Sequence, residues 1–201
     1  MGVIAFAVSG AMVAISKHTD AFGVIVLAVI TATGGGIIRD ILLGVFPPKA
    51  FTDRSYVLIA VVTALVVYLI AFLFKDLYCR NSRMLDSVNN IVDALGLGIF
   101  AVTGTQAAID YGFAQNGFLS ILIGMITGIG GGFLRDIMVK EIPFVLRKRI
   151  YALAALAGSM IFYVLYMHNF NYTVSVTVAT SFTFVLRLLA THFKWNIPPA
   201  Y

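Results

Sequence analysis

Thr31-Ala32-Thr33-Gly34-Gly35-Gly36-Ile37-Ile38-Arg39-Asp40-Ile41 returns 96 residues later as Thr127-Gly128-Ile129-Gly130-Gly131-Gly132-Phe133-Leu134-Arg135-Asp136-Ile137. Pro47 returns as Pro143 at the same spacing. Phe6-Ala7-Val8-Ser9-Gly10 returns as Phe100-Ala101-Val102-Thr103-Gly104, now at a spacing of 94, which fits a two-residue indel in the loop between. The chain is an internal duplication, and a triple glycine followed by Arg-Asp marks each half.

The surroundings of these stretches are apolar. Of 201 residues, 60% are hydrophobic and only 11% charged, against about 25% charged in an average soluble domain. The sequence therefore reads as an all-α membrane protein, and spans of about 20 apolar residues can be counted along it. They run from about Gly2 to Ser16, Phe22 to Leu43, Tyr56 to Phe74, Val88 to Ile109, Phe118 to Val139, Tyr151 to Met167 and Thr173 to Phe193. This gives seven transmembrane helices in one domain, residues 1–201. Repeat one covers about 1–74, repeat two about 87–167, and the extra helix about 173–193. Aligned on the second repeat, Met1 falls opposite Leu95, so the sequence is expected to start inside its first helix. The single Cys79 excludes an intrachain disulfide.

Three spans per repeat is an odd number, so the second repeat must enter the membrane from the opposite face, as two inverted three-helix repeats. The loops on the N-terminal face carry Lys49 and Arg54. The other face collects Lys17, Lys75, Arg80, Arg83, Lys140, Arg147, Lys148, Arg149, Arg187 and Lys194. The positive-inside rule then puts the N-terminus outside and the C-terminus in the cytoplasm of a multi-pass cell (inner) membrane protein.

Gly34, Gly35 and Gly36, and likewise Gly130, Gly131 and Gly132, lie about 21 Å into their helices at ~1.5 Å per residue, near the midplane. Three glycines weaken a helix by about 1 kcal/mol each relative to alanine. Broken helices at this depth of an inverted repeat are where transporters and channels build their sites. The sequence thus predicts a kink with opened carbonyls at each triplet. The small-residue rows Gly124, Gly128, Gly132 and Ala28, Ala32, Gly36 are read as helix-packing ridges instead.

Arg39-Asp40 and Arg135-Asp136 follow one turn on. They read either as anchors snorkelling to the interface or as the linings of two water-filled vestibules, one per face. Asp93 reads either as a buried ion-path residue or as an acid favoured by the dipole near its helix N-terminus. Ser9, Thr103, Thr105 and Gln106 are polar positions inside the spans. The hydroxyls can bond back to the preceding turn, whereas Gln106 is expected to face protein or water. Thr173, Thr177, Thr180 and Ser181 share one face of the last span and read as helix–helix glue. The histidines, His18, His168 and His192, stand apart, so no metal site is expected.

No enzyme is expected either. No strand precedes the glycines, their spacing is not that of a dinucleotide fingerprint, and no catalytic triad spacing appears in the spans. Nothing calls for a cofactor or a nucleic-acid partner; the lipid bilayer is the expected surrounding.

On Phe6 to Gly10, Gly34 to Asp40, Asp93 to Gln106, and Gly130 to Asp136 with Pro143, the chain resembles the prokaryotic trimeric intracellular cation (TRIC) channel family. It equally resembles bacterial proteins built from two copies of a glycine transporter domain. The resemblance implies a homotrimer with one pore per subunit, lined by the first, second, fourth and fifth spans and kinked at the glycines, and conducting potassium and sodium. The Lys-Glu-Val motif of the phosphoinositide-binding animal members is absent. Three functions stay open at this point: a monovalent cation channel, a secondary transporter of a small solute such as glycine, and a structural membrane protein.

Overall fold

The computed structural model describes residues 1–74, 82–147, 150–193 and 195. Lys75, Arg80, Lys148, Arg149 and Lys194 of the charge count lie outside the described residues, as does most of the join between the repeats. The described chain is helical. In order come α1 (Gly2–Ser16), α2 (Ala21–Leu42), α3 (Lys49–Thr52), α4 (Arg54–Leu73), α5 (Ser82–Ala108), α6 (Gly117–Met138), α7 (Phe144–Arg147), α8 (Ile150–Met167) and α9 (Tyr172–His192). A π turn, Ile109–Phe113, continues α5, and Gly112 at φ 93° turns the chain out of it. Among the described residues, six helices are long and apolar enough to cross a membrane. The seventh, α1, is apolar but has only 15 residues, about 22 Å at ~1.5 Å per residue. The chain is thus a multi-pass membrane protein.

Polar residues at the loops set where the helices begin. Asp20 accepts from Gly23 N at 2.7 Å and Asn116, its equivalent 96 residues on, from Leu119 N at 3.1 Å. Asp53 caps α4 through Ser55 N at 2.9 Å, and Asn171 caps α9 through Thr173 N, also at 2.9 Å. Such caps satisfy first-turn N–H groups that lack partners in the helix. Both signature helices end in the same motif. Val45 N donates to Asp40 O and Gly44 N to Ile41 O; Glu141 N donates to Asp136 O and Lys140 N to Ile137 O. The residue turning the chain is left-handed in each case, Gly44 at φ 71° and Lys140 at φ 59°, as this type of helix end requires.

Four helices form the centre: α1 packs on α2 and α5, α2 on α6, and α5 on α6. α4 leans on α1 and α2, α8 leans on α5 and α6, and α9 packs on α5 and α8. The outer helix α4 buries only Ala60, Ala64 and Ala71. Its Leu, Val and Phe side chains face outward, which suits lipid, where exposed apolar surface carries no penalty.

Equivalent positions of the two halves make equivalent contacts. Phe6 and Phe100 meet each other, ring centroids 5.0 Å apart. A Cβ at Gly10 would lie 2.6 Å from Thr31 Oγ1 and 2.8 Å from Ala28 Cα. A Cβ at Gly104 would lie 2.5 Å from Thr127 Oγ1 and 3.0 Å from Gly124 Cα. Thr31 and Thr127 each donate to the carbonyl four residues back, to Leu27 O and Ile123 O, both at 2.6 Å. The hydroxyls are satisfied locally and leave room for a close helix pair.

The expected break at the glycines is not there. α2 runs unbroken through Gly34–Gly36, and α6 through Gly130–Gly132. The glycines serve a crossing of these two helices instead. A Cβ at Gly35 would lie 2.2 Å from Thr127 O, and one at Gly131 would lie 2.2 Å from Thr31 O. Backbones this near exclude every side chain larger than hydrogen. The loss of propensity in three glycines is offset by two helices in direct main-chain contact.

The ridge Gly124–Gly128–Gly132 packs as expected: Gly124 faces Thr105 and Ser159, and Gly128 faces Leu97 and Ala101. Of the glue face expected on the last helix, Thr180 does pack inward, against Gly98 of α5, and the other three positions need correction. Thr173, Thr177 and Ser181 are exposed, and α9 packs through Ser175, Ala179, Thr183, Arg187 and Ala190. A row of threonines marked the outer face because hydroxyls bonded to their own helix, as Thr177 is to Thr173 O, are tolerated facing lipid.

Candidate functional site

The signature Arg-Asp pairs end in two different environments. Arg39 Nε donates to Asp40 Oδ1 at 2.8 Å, and Asp40 Oδ2 accepts from Lys49 N at 2.8 Å. Asp40 is 1% exposed, so it is neither a snorkelling anchor nor in contact with solvent. It fastens the α2–α3 loop back to its helix. Asp136 repeats the arrangement, accepting from Arg135 Nε at 2.9 Å and from Phe144 N at 2.7 Å.

Arg39 borders a cavity of about 240 Å³ that is open on the N-terminal face. Thr33, Gly36, Thr103, Lys49 and Tyr56 line it, with Met1 and Phe100 at its side. Thr103 is exposed and Thr33 turns its hydroxyl to Val29 O at 2.7 Å. Lys49 Nζ sits 5.3 Å above the Tyr111 ring. Gly36 is therefore the one residue of its triplet with open space before it. The nearest atom to a Cβ there is Arg39 Nη2 at 3.8 Å. Of the two arginines, Arg39 is the one that borders this open space.

Arg135 is buried instead, 4% exposed. Arg135 Nη1 donates to Ser9 Oγ at 2.5 Å and to Asp93 Oδ1 at 2.7 Å. With Asp136 Oδ1 2.9 Å from Nη2, the guanidinium is enclosed by two carboxylates and a hydroxyl. Burying such charges is tolerable only because they are paired and hydrogen-bonded. Asp93 is 4% exposed and lies well inside α5, which begins at Ser82. The dipole reading of Asp93 fails, because that effect fades beyond the first turn. Arg135 and Ser9 match Arg39 and Thr103 by the repeat spacings, so the cluster fills on one face the position that the cavity occupies on the other.

Two members of this region carried no signal in the sequence reading. Tyr151 is 2% exposed, and its hydroxyl would meet a Cβ at Gly132 at 2.9 Å. Arg187, 2% exposed, stacks over the rings of Phe144 at 4.6 Å and Tyr151 at 5.1 Å and donates to Thr191 Oγ1. Arg187 was counted as a loop charge. Its place on the Ser175–Ala179–Thr183 row, at helical spacing, was the available clue. Thr105 takes no part; it is buried and bonds to Ala101 O at 2.9 Å. Gln106 donates to Asp110 Oδ1 at 2.6 Å near the end of α5, away from both centres.

The chain matches the family model described as "Glycine transporter" over residues 1–71 and 90–167. It is 34% identical to the UPF0126 inner membrane protein YadS of Escherichia coli, across 98% of this chain and 92% of that one. Among solved structures, a prokaryotic TRIC channel is 38% identical, with a TM-score of 0.86 over 98% of this chain and 94% of that one. The TRIC trimeric intracellular cation channel orthologue from Rhodobacter sphaeroides is 31% identical, with a TM-score of 0.85 over 96% and 95%. A duplicated signature matched in both halves and these whole-chain identities make the chain a member of the glycine transporter family of membrane proteins, with the fold of the TRIC channels.

Proposed function

We propose that the chain is a passive channel for monovalent cations, potassium and sodium, with its own path through each subunit. The observation that carries this reading is the cavity beside Gly36. It enters the bundle between α1, α2 and α5 and reaches a residue six positions, about 9 Å, inside the end of α2. A path continuing from there would cross to the equivalent position on the other face, where Arg135 and Asp93 stand. The present state is then a closed one. The triple glycines shape the path by bringing α2 and α6 together, rather than by breaking them.

The solved structures that this chain resembles are of cation channels described as trimeric, which supports the same activity and a homotrimer. α1 counts as the first of seven spans in one domain of two inverted repeats and a further helix. The excess of Lys and Arg on the loops opposite the N-terminus supports an N-terminus outside and a C-terminus in the cytoplasm. The inner-membrane relative supports a cell-membrane location. A second reading, a secondary transporter of glycine, is favoured by the description of the family model.

Purified protein in planar bilayers under a potassium gradient separates the two. Step-like unitary currents reversing near the potassium potential are expected. Saturable glycine uptake into vesicles without such currents overturns the channel reading in favour of the transporter.

A further inference from the structure

The cavity beside Gly36 offers hydrogen-bond donors, while its acid is already spent. Asp40 is the carboxylate among its described lining residues, and both oxygens are taken, Oδ1 by Arg39 and Oδ2 by Lys49 N. Arg39 commits Nε and Nη2 to that Oδ1, at 2.8 and 2.7 Å, and its Nη1 makes no hydrogen bond among the described residues. Lys49 brings a second positive charge. Its ammonium rests over the Tyr111 ring, and no carboxylate among the described residues pairs with it. Thr103 Oγ1 reaches Phe100 O only at 3.5 Å, and the Tyr56 hydroxyl is unbonded among the described residues. Two cations against one carboxylate leave the wall one positive charge in excess. The excess belongs to this half alone. Lys49 N and Phe144 N serve Asp40 and Asp136 alike, so the place that carries an ammonium here carries a ring on the other face.

We propose that this cavity is a binding site for an oxyanion of the phosphate type, held by Arg39 and Lys49 and oriented by the Thr103 and Tyr56 hydroxyls, and that its occupant closes the outer mouth of the path. The site stands on this geometry; its effect on flux rests on the channel reading above. A surplus charge in a partly enclosed mouth is costlier than one in open water, and a bound anion offsets it. Guanidinium and ammonium groups make their strongest hydrogen bonds to ionised oxygens. The cavity, about 240 Å³, is several times the roughly 30 Å³ that a water takes in the liquid, room for a tetrahedral oxyanion with part of its hydration. Arg39 Nη2 lies 3.8 Å from where a Cβ of Gly36 would stand, so an anion on this guanidinium occupies the point from which the path continues inward. Phe46 and Phe51, flanking Lys49 in sequence, are 88% and 69% exposed. The same phosphate chemistry therefore has two sources, a free ion and the headgroup of an anionic phospholipid.

Thermal unfolding of the purified full chain in sodium phosphate, against sodium chloride at equal ionic strength, reads binding without currents. Phosphate is expected to raise the Tm saturably, by about 5–10 °C at a hundredfold excess over its dissociation constant. Lys49→Met keeps the backbone N–H that holds Asp40 and removes one charge-assisted contact, so half-saturation shifts to about tenfold more phosphate or beyond. Lys17→Met, on the opposite face, leaves half-saturation where it was. Micelles carrying phosphatidylglycerol or phosphatidylcholine separate the two sources. A Lys49-dependent rise with phosphatidylglycerol and none with free phosphate assigns the site to a lipid headgroup, and a rise with free phosphate assigns it to a soluble anion. In planar bilayers, phosphate added on the N-terminal face alone is expected to reduce potassium current, and Lys49→Met to relieve the block. No saturable rise from either source, or a rise that Lys49→Met leaves in place, overturns the site. Binding without loss of current overturns the closure. Phosphate binding by a protein that passes no current at all overturns the channel reading and leaves the site standing.

Discussion

Gly131→Ala tests whether the triple glycines are a contact or a hinge. The added methyl would stand 2.2 Å from Thr31 O and 2.9 Å from the Phe6 ring. Ordinary contact requires about 1 Å more, and the obstacle is main chain that cannot rotate away. Overpacking of this kind costs about 1–3 kcal/mol, against a gain of at most about 1 kcal/mol in helix propensity. For a chain of this size each 1 kcal/mol moves the Tm by about 2–4 °C. Thermal unfolding in detergent, followed by size-exclusion chromatography of the heated sample, should therefore show a Tm lower by about 3–8 °C. Gly36→Ala is the control. Its methyl enters open space, so the propensity gain stands alone and the Tm rises by about 2–4 °C. Gly35→Ala combined with Gly131→Ala should cost less than the sum of the two, since either one already separates the same backbones. A Gly131→Ala protein as stable as the unmodified one, with Gly36→Ala destabilised, would refute the contact and restore the hinge.

Arg39→Gln removes a positive charge from the cavity wall. At about 4 Å in water-like surroundings such a charge opposes a cation by about 1 kcal/mol. Unitary potassium conductance at low salt should rise by up to about fivefold, and the gain should vanish near 1 M salt, where screening acts over about 3 Å; no change at low salt takes Arg39 off the path. Lys17 and Glu141 join the loops of the two halves at 2.5 Å, with side chains 41% and 42% exposed. Lys17→Met should nevertheless lower stability by no more than about 1 kcal/mol, and a Tm drop beyond about 5 °C would mean that this contact organises the face.

Most of the fold was legible because duplication is written in sequence identity. The spans follow from unbroken apolar runs, and their bounds agree with the helices to within two residues everywhere except α5. There Ser82 to Ser87 continue the helix, as a polar first turn can where it clears the membrane. The central pairing of α2 and α6 was half legible. The glycines announced a special site, but glycine permits both a bend and a close approach, and a single sequence does not say which. Only the position of Thr127 O and Thr31 O, fixed by the partner helix, decides it. The Arg135–Asp93–Ser9 cluster was legible as three separate polar residues on three spans; what assembled them was the crossing. Tyr151 and Arg187 were missed for a related reason. An aromatic at a helix start and an arginine near a helix end both look like interface anchors, and their burial comes from α9 folding over the second half.

That difference between the halves explains how one signature gives two environments. Gly36 and Gly132, Arg39 and Arg135, Thr103 and Ser9 occupy matching places, so a strictly symmetric molecule would have two cavities or two clusters. One feature breaks the match: Arg187 comes from α9, outside the duplication, and adds a guanidinium that stacks over Tyr151 beside the Arg135 cluster. A further Arg alone would repel Arg135; set against the carboxylates of Asp93 and Asp136, it is a charge that a buried cluster can accept. If this is the source of the asymmetry, Asp93→Asn and Arg187→Met should each destabilise the protein more than the two combined. Thermal unfolding of the three variants checks it, and strictly additive losses would show that the two residues act separately.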